Sequence, residues 1–71
     1  VTYTINTEAI KQLRIQRQLT LLEAANAIGL SRADQYLRRE NGQYQFKATE
    51  LPALAQLLGV SMESLFIQAT D

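Results

Sequence analysis

Neither cysteine nor histidine occurs among the 71 residues. Disulfides, thiolate zinc sites, cysteine nucleophiles and imidazole acid–base chemistry are therefore excluded together. Carboxylates at helical spacing for general acid–base work and a glycine-rich phosphate cradle are missing as well. No catalytic site can be assembled from what remains, and the chain is read as a non-enzyme with no cofactor and no metal. No apolar run approaches the ~20 residues that span a bilayer, and no secretory signal is recognisable, so no membrane role is expected. A cysteine-free chain suits a reducing cytoplasm, and that location is expected. Low-complexity segments, linkers and internal repeats are also lacking.

What is present is a chain of one small domain (residues 1–71), near the length at which a single core just suffices. Hydrophobic residues make up 46%, enough to fill such a core. Net charge is zero, but its distribution is uneven. All seven bases (Lys11, Arg14, Arg17, Arg32, Arg38, Arg39, Lys47) lie between positions 11 and 47, against three acids there, so that segment carries +4 and the flanks −4. A neutral chain arranged this way can present a positive face.

The organising stretch runs from Thr20 to Gly42, TLLEAANAIGLSRADQYLRRENG. Thr20 and Glu23 form a T-x-x-E capping box that opens one short helix, and Gly29 supplies a turn. Ser31 is the expected cap of the next helix, with Asp34 near the positive end of its dipole. Asn41-Gly42 closes it. Helix, tight turn, helix is the helix-turn-helix arrangement. At 100° per residue, Ala33, Tyr36, Leu37 and Glu40 gather on the inner face of the second helix. Ser31, Arg32, Gln35, Arg38 and Arg39 gather on the outer face, and Arg and Gln are the side chains that form bidentate hydrogen bonds with guanine and adenine edges. An ordinary solvated helix face would also carry arginines.

The flanks complete a helical domain. VTYTI alternates apolar and polar residues and reads as extended, paired either with QYQF at 43–46 or with a second subunit. A first helix is expected from Thr7 to Arg17, with Asn6 or Thr7 as cap and Ile10 and Leu13 inward, and Leu19 plugs the core after it. Small residues at Ala24 and Ala25 of the next helix let a neighbour approach closely, with Ile28 on the same face. Phe46 is expected to bury, while Tyr44 and Lys47 can reach phosphates or, for Tyr44, pack. A fourth helix spans Thr49 to Leu58 with Thr49 as cap, Pro52 in its first turn and Leu51, Leu54, Ala55 and Leu58 inward. Ser61 caps a fifth helix ending near Phe66 or Ile67, and the tail QATD is expected to fray. The expected architecture is all-α, an extended arm over 1–6 and a helical core over 7–67.

This order resembles the lambda-repressor/Cro-like (XRE) helix-turn-helix family from about Ile10 to Phe66. The carriers are IKQLR at 10–14, Leu19-Thr20, Ala25 four residues before Gly29, GLS at 29–31, ENG at 40–42 and LAQLLGVSMESLF at 54–66. The resemblance implies a five-helix fold and a sequence-specific transcriptional regulator of bacterial or phage type, expected to be a repressor. It would place the helix at 31–41 in the major groove of a double-stranded operator. Base reading falls to Ser31, Arg32, Gln35, Arg38 and Arg39. Phosphate contacts fall to Arg17, Thr20, Gln43, Tyr44 and Lys47, with the amides at the start of the second helix. Arg14 and Glu40 are implied to form a buried structural ion pair. A homodimer is expected, with Met62, Phe66 and Ile67 as its surface unless they fill the monomer core. Two departures stand out. Leu21 occupies a position where the family commonly has a backbone-gripping Gln, and the interval from Ser31 to Glu40 is one residue longer than usual. Both leave room for a protein-interaction module on the same fold, such as an antitoxin or one domain of a larger regulator.

Overall fold

The computed structural model describes residues 2–69. A strand β1 (Thr2–Ile5) leads into α1 (Thr7–Gln16), α2 (Leu21–Ala27) and α3 (Ala33–Glu40). A 3-10 turn at Ala48–Glu50 then feeds α4 (Leu51–Leu58), a second 3-10 turn occupies Met62–Leu65, and β2 (Phe66–Ala69) ends the described chain. The core is one cluster of Ile10, Ala24, Ala25, Ile28, Tyr36, Phe46, Leu51, Leu54, Ala55, Leu58 and Leu65, with Leu13, Leu19 and Leu21 packed at its margin. Ala24 and Ala25 are fully buried, as close helix packing at small residues requires.

The expected fifth helix is not formed. Residues 62–65 make a 3-10 turn and the chain then extends. β2 pairs antiparallel with β1 in the register Thr2↔Ala69, Tyr3↔Gln68, Thr4↔Ile67, Ile5↔Phe66. The Asn6 amide donates to the Leu65 carbonyl at 2.7 Å, closing the ladder at its inner end. The partner of β1 within the chain is thus β2 rather than the 43–46 stretch. Gln68 and Ala69, expected to fray, are strand residues. An amide ladder gives each strand a partner that neither has alone. Val1 and the last two tail residues, Thr70 and Asp71, lie outside the described residues.

Helix ends follow local chemistry, with three shifts from expectation. Asn6 caps α1 by accepting from the Ala9 amide at 3.1 Å, and α1 stops one residue short, at Gln16. The N-cap of α3 is Arg32 rather than Ser31. Ser31 and Arg32 therefore belong to the turn, and the helical part of the Ser31–Glu40 interval is the eight residues from Ala33. Thr49 sits inside the 3-10 turn rather than capping α4, and Pro52 falls in α4's first turn, where no amide is missed.

A shared closing motif ends the helices. After α2, the Gly29 amide donates to Asn26 O at 3.2 Å and the Leu30 amide to Ala25 O at 2.8 Å, with Gly29 left-handed at φ +89°. The α3 and α4 ends make the same pair of bonds at Gly42 and Gly59. α1 makes it with a non-glycine: Gln18 sits at φ +58° while its amide reaches Ile15 O at 2.9 Å and the Leu19 amide reaches Arg14 O at 3.1 Å. A Cβ in that region costs ~1–2 kcal/mol. Glycine would relieve it but lose ~0.5–1 kcal/mol of unfolded-chain entropy. Gln18→Gly should therefore raise the unfolding free energy by up to about 1 kcal/mol in urea titration, where a helix-interior glycine would lower it.

Tyr36 is fully buried and meets Phe46 edge-on, ring centroids 5.9 Å apart and planes at 65°. Its hydroxyl is the buried side-chain polar atom left without a hydrogen-bond partner among the described residues. Burial, and then the neighbouring Glu40 carboxylate, push its ionisation above the ordinary tyrosine range. The unfolded chain ionises near pH 10 while the folded one stays neutral, so stability is full below pH 10 and falls above it. Tyr36→Phe should be neutral or stabilising by about 1 kcal/mol at pH 7. It should also flatten the alkaline fall, read by thermal melts from pH 8 to 11.

Candidate nucleic-acid interface

Two adjacent residues at the end of α3 fix how that helix sits. Arg14 on α1 donates Nε to Glu40 Oε2 at 2.9 Å and Nη2 to Glu40 Oε1 at 3.0 Å, while Nη1 donates to the Leu19 carbonyl at 3.0 Å. The Glu40 side chain is 1% exposed and Arg14 13%, so this is a bidentate pair removed from water. The carboxylate raises the Arg14 pKa further above its already high value. On the neighbouring position, Arg39 donates Nε to Glu50 Oε1 at 2.9 Å and Nη1 to the Gln35 carbonyl at 3.0 Å. Glu50 Oε1 also accepts from the Lys47 amide at 2.9 Å, which anchors the turn before α4.

Arg39 therefore stands differently from the outer-face position expected of it. Its side chain is 11% exposed and committed to Glu50 at 7%. The helix wheel places Arg39 on the outer face, but the turn carrying Glu50 covers that part of the helix and takes its guanidinium. Leu37, expected inward, is 37% exposed. The outer face also carries an acid: Asp34 lies one turn before Arg38. Arg32 donates Nε to Asp34 Oδ1 at 2.9 Å and Nη2 to Oδ2 at 3.3 Å. Arg38 Nη2 lies 4.0 Å from the same Oδ2. The exposed set on α3 and its turn is thus Ser31, Arg32, Leu37 and Arg38, with Asp34 and Gln35 half-buried beside them.

The expected phosphate contacts fall into three groups. Thr20 is engaged in the capping box, its Oγ1 accepting from the Glu23 amide at 3.0 Å and its own amide donating to Glu23 Oε1 at 3.1 Å. Hydrogen bonding to the carboxylate from the Thr20 amide, and then from its side chain, holds the Glu23 carboxyl below its usual range. Gln43, Tyr44 and Lys47 are exposed on the segment after α3. The Arg38 guanidinium lies 5.9 Å from the Tyr44 ring centroid, so this loop and α3 share one surface. Arg17 is exposed, but its guanidinium lies over Gly59 at the C-terminal end of α4; a Cβ there would come within 2.5 Å of Nη2. That end of a helix attracts a cation. Of the expected dimer residues, Met62 and Ile67 are 42% and 47% exposed, whereas Phe66 is half-buried against the core.

Residues 7–71 match the family described as a helix-turn-helix domain. The chain belongs to it. It is an XRE-type helix-turn-helix DNA-binding domain. No curated protein and no solved structure matches the chain. In this helix-turn-helix domain, α2 and α3 are the two helices of the motif and the five residues 28–32 form the turn between them. Sequence reasoning missed Glu50, eleven positions from Arg39 with no periodic relation to it. It also passed over Asp34 as an outer-face group, although its spacing to Arg38 carried that signal. Among the described residues no helix is long and apolar enough to cross a membrane, and no group of His, Cys, Asp and Glu could hold a metal ion.

Removing one side of the Arg14–Glu40 pair leaves the other charge buried alone, at a cost of ~3–5 kcal/mol. Arg14→Ala should lower the urea midpoint accordingly, with the loss appearing equally in the absence of any ligand.

Proposed function

We propose that this domain is a sequence-specific transcriptional regulator of bacterial or phage type that represses by occupying an operator. α3 lies in the major groove, with Ser31, Arg32, Gln35 and Arg38 turned toward base edges. Arg39 is left out because Glu50 holds it. The observation that carries the reading is the outer side of α3. Arg32 and Arg38, with side chains 70% and 50% exposed, stand there on a helix whose other side is locked by Arg39 and Glu40. A rigid helix with solvent-facing arginines is suited to reading guanines. Thr20, Gln43, Tyr44 and Lys47 border this surface as phosphate contacts, with Arg17 at the junction of α1 and α2.

A single domain of this size covers one half-site, so the working unit is a homodimer on a palindromic operator. Met62 and Ile67 are its exposed apolar candidates, with the Phe66 backbone beside them. The same fold can instead serve as a protein-docking module, a reading favoured by Leu22 and Leu37, exposed by 49% and 37% on the two helices of the motif. The two readings differ in salt response.

The test is selection of duplexes from a random library by purified protein at low salt, followed by a salt titration of the enriched duplex. A palindromic consensus is expected, with affinity falling steeply as salt rises. Arg38→Ala should abolish a preference worth ~1–3 kcal/mol at one base pair while leaving the melting temperature unchanged. Absence of enrichment over random DNA would end the operator reading and turn the search toward a protein partner.

A further inference from the structure

The outer face of α3 holds a carboxylate that DNA binding alone gives no reason to keep. Asp34 sits among arginines on a surface that would face polyanionic DNA, where an acid repels phosphate. Its position in the first turn of α3 favours the helix dipole, and that is the plain structural account. The hydrogen bonds say more. Asp34 engages the Nε and Nη2 side of the Arg32 guanidinium with both oxygens, at 2.9 and 3.3 Å. A guanidinium has five N–H donors in a planar fork. Binding a carboxylate along the Nε/Nη2 side leaves the end formed by Nη1 and the second Nη2 hydrogen open. That end matches the paired acceptors O6 and N7 of guanine. Arg32 is 70% exposed and otherwise free to sample many rotamers, so the carboxylate removes orientational freedom that base recognition would have to remove in any case.

We propose that Asp34 is a positioning residue. It buttresses Arg32 so that the guanidinium presents its open end to one guanine per half-site. The proposal rests on the operator-binding reading and names the base that part of the site recognises. It also gives the acid a second effect. With Asp34 present, Arg32 is partly neutralised toward phosphates and binds DNA of unrelated sequence less well, which widens the ratio between operator and non-operator affinity.

The test measures affinities of the full chain and its Arg32→Ala, Asp34→Ala and Arg32→Ala/Asp34→Ala variants, each confirmed folded by its melting curve. The targets are the selected duplex, duplexes changed at each guanine, duplexes with 7-deazaguanine in place of each guanine, and an unrelated duplex. Wild type should prefer one guanine by about 5- to 150-fold and lose most of that preference when N7 is removed. Arg32→Ala and Asp34→Ala should each lose the preference at that same guanine, and the double variant should lose no more than either. Asp34→Ala alone should bind the unrelated duplex severalfold more tightly. If Asp34→Ala keeps the guanine preference that Arg32→Ala loses, the buttress is overturned while operator binding stands. If neither variant alters any guanine preference, Arg32 is not a reader and the proposal fails. If wild type binds no duplex, the operator reading fails and the proposal with it.

Discussion

The two ion pairs at the end of α3 are the constraint on which the rest of the domain depends. Arg39 and Glu40 are neighbours of opposite charge, and each finds its partner in a different direction: Glu50 before α4, and Arg14 on α1. One turn of helix is thereby tied to both sides of the core. Buried ion pairs are weak contributors to net stability, because desolvation offsets most of the Coulomb gain. Their value here is geometric. Glu40 accepts two hydrogen bonds from Arg14 on α1 and Arg39 donates one to Glu50, so rotation of α3 would break all three charge-assisted bonds together, while the Leu19 and Gln35 carbonyls hold the two guanidinium groups in place. Among the described residues the core holds eleven buried apolar side chains, of which α3 contributes Tyr36, and the two ion pairs add fixed points on either side of it.

That fixed rotation decides which side chains are available to a ligand. Arg39 is consumed by the clamp, and the arginines left to solvent are Arg32 at the start of α3 and Arg38 near its end, with Asp34 between them. The Arg38 guanidinium in turn reaches toward Tyr44, linking α3 to the loop that follows it. The surface is therefore a patterned one, with two cations and an acid at defined spacing, rather than a uniform basic stripe. Such patterning accommodates the zero net charge of the chain, because short-range recognition depends on where charges stand more than on their sum.

Most local signals in the sequence were read well, the caps at Ser31 and Thr49 and the inward placing of Leu37 excepted, and distant ones were not. The capping box of Thr20 and Glu23, the turn at Gly29, the closure at Asn41-Gly42, the burial of Phe46 and the inward face of α4 all depend on residues a few positions apart, and each lies where its spacing placed it. The Arg14–Glu40 contact spans 26 positions and came from family resemblance rather than from spacing. The Arg39–Glu50 contact carried no periodic signal, so the wheel placed Arg39 outward. The β1–β2 ribbon joins the two ends of the described chain. Neither TYTI nor FIQA identifies the other, and the second was absorbed into an expected fifth helix. In the turn before α3, Ser31 looked the better cap by residue type, yet the helix starts one residue later, with Arg32 as its cap.

The proposed DNA-binding surface is the outward side of α3, flanked by the start of α2 and the segment from Gln43 to Lys47. The most direct measurement is a map of backbone amide shifts on titration with an operator duplex. The largest shifts are expected at residues 20–22, 31–38 and 43–47, with little change at α4 and the β1–β2 ribbon beyond what dimer formation adds. Shifts confined to the ribbon or to α4, with α3 unmoved, would contradict it.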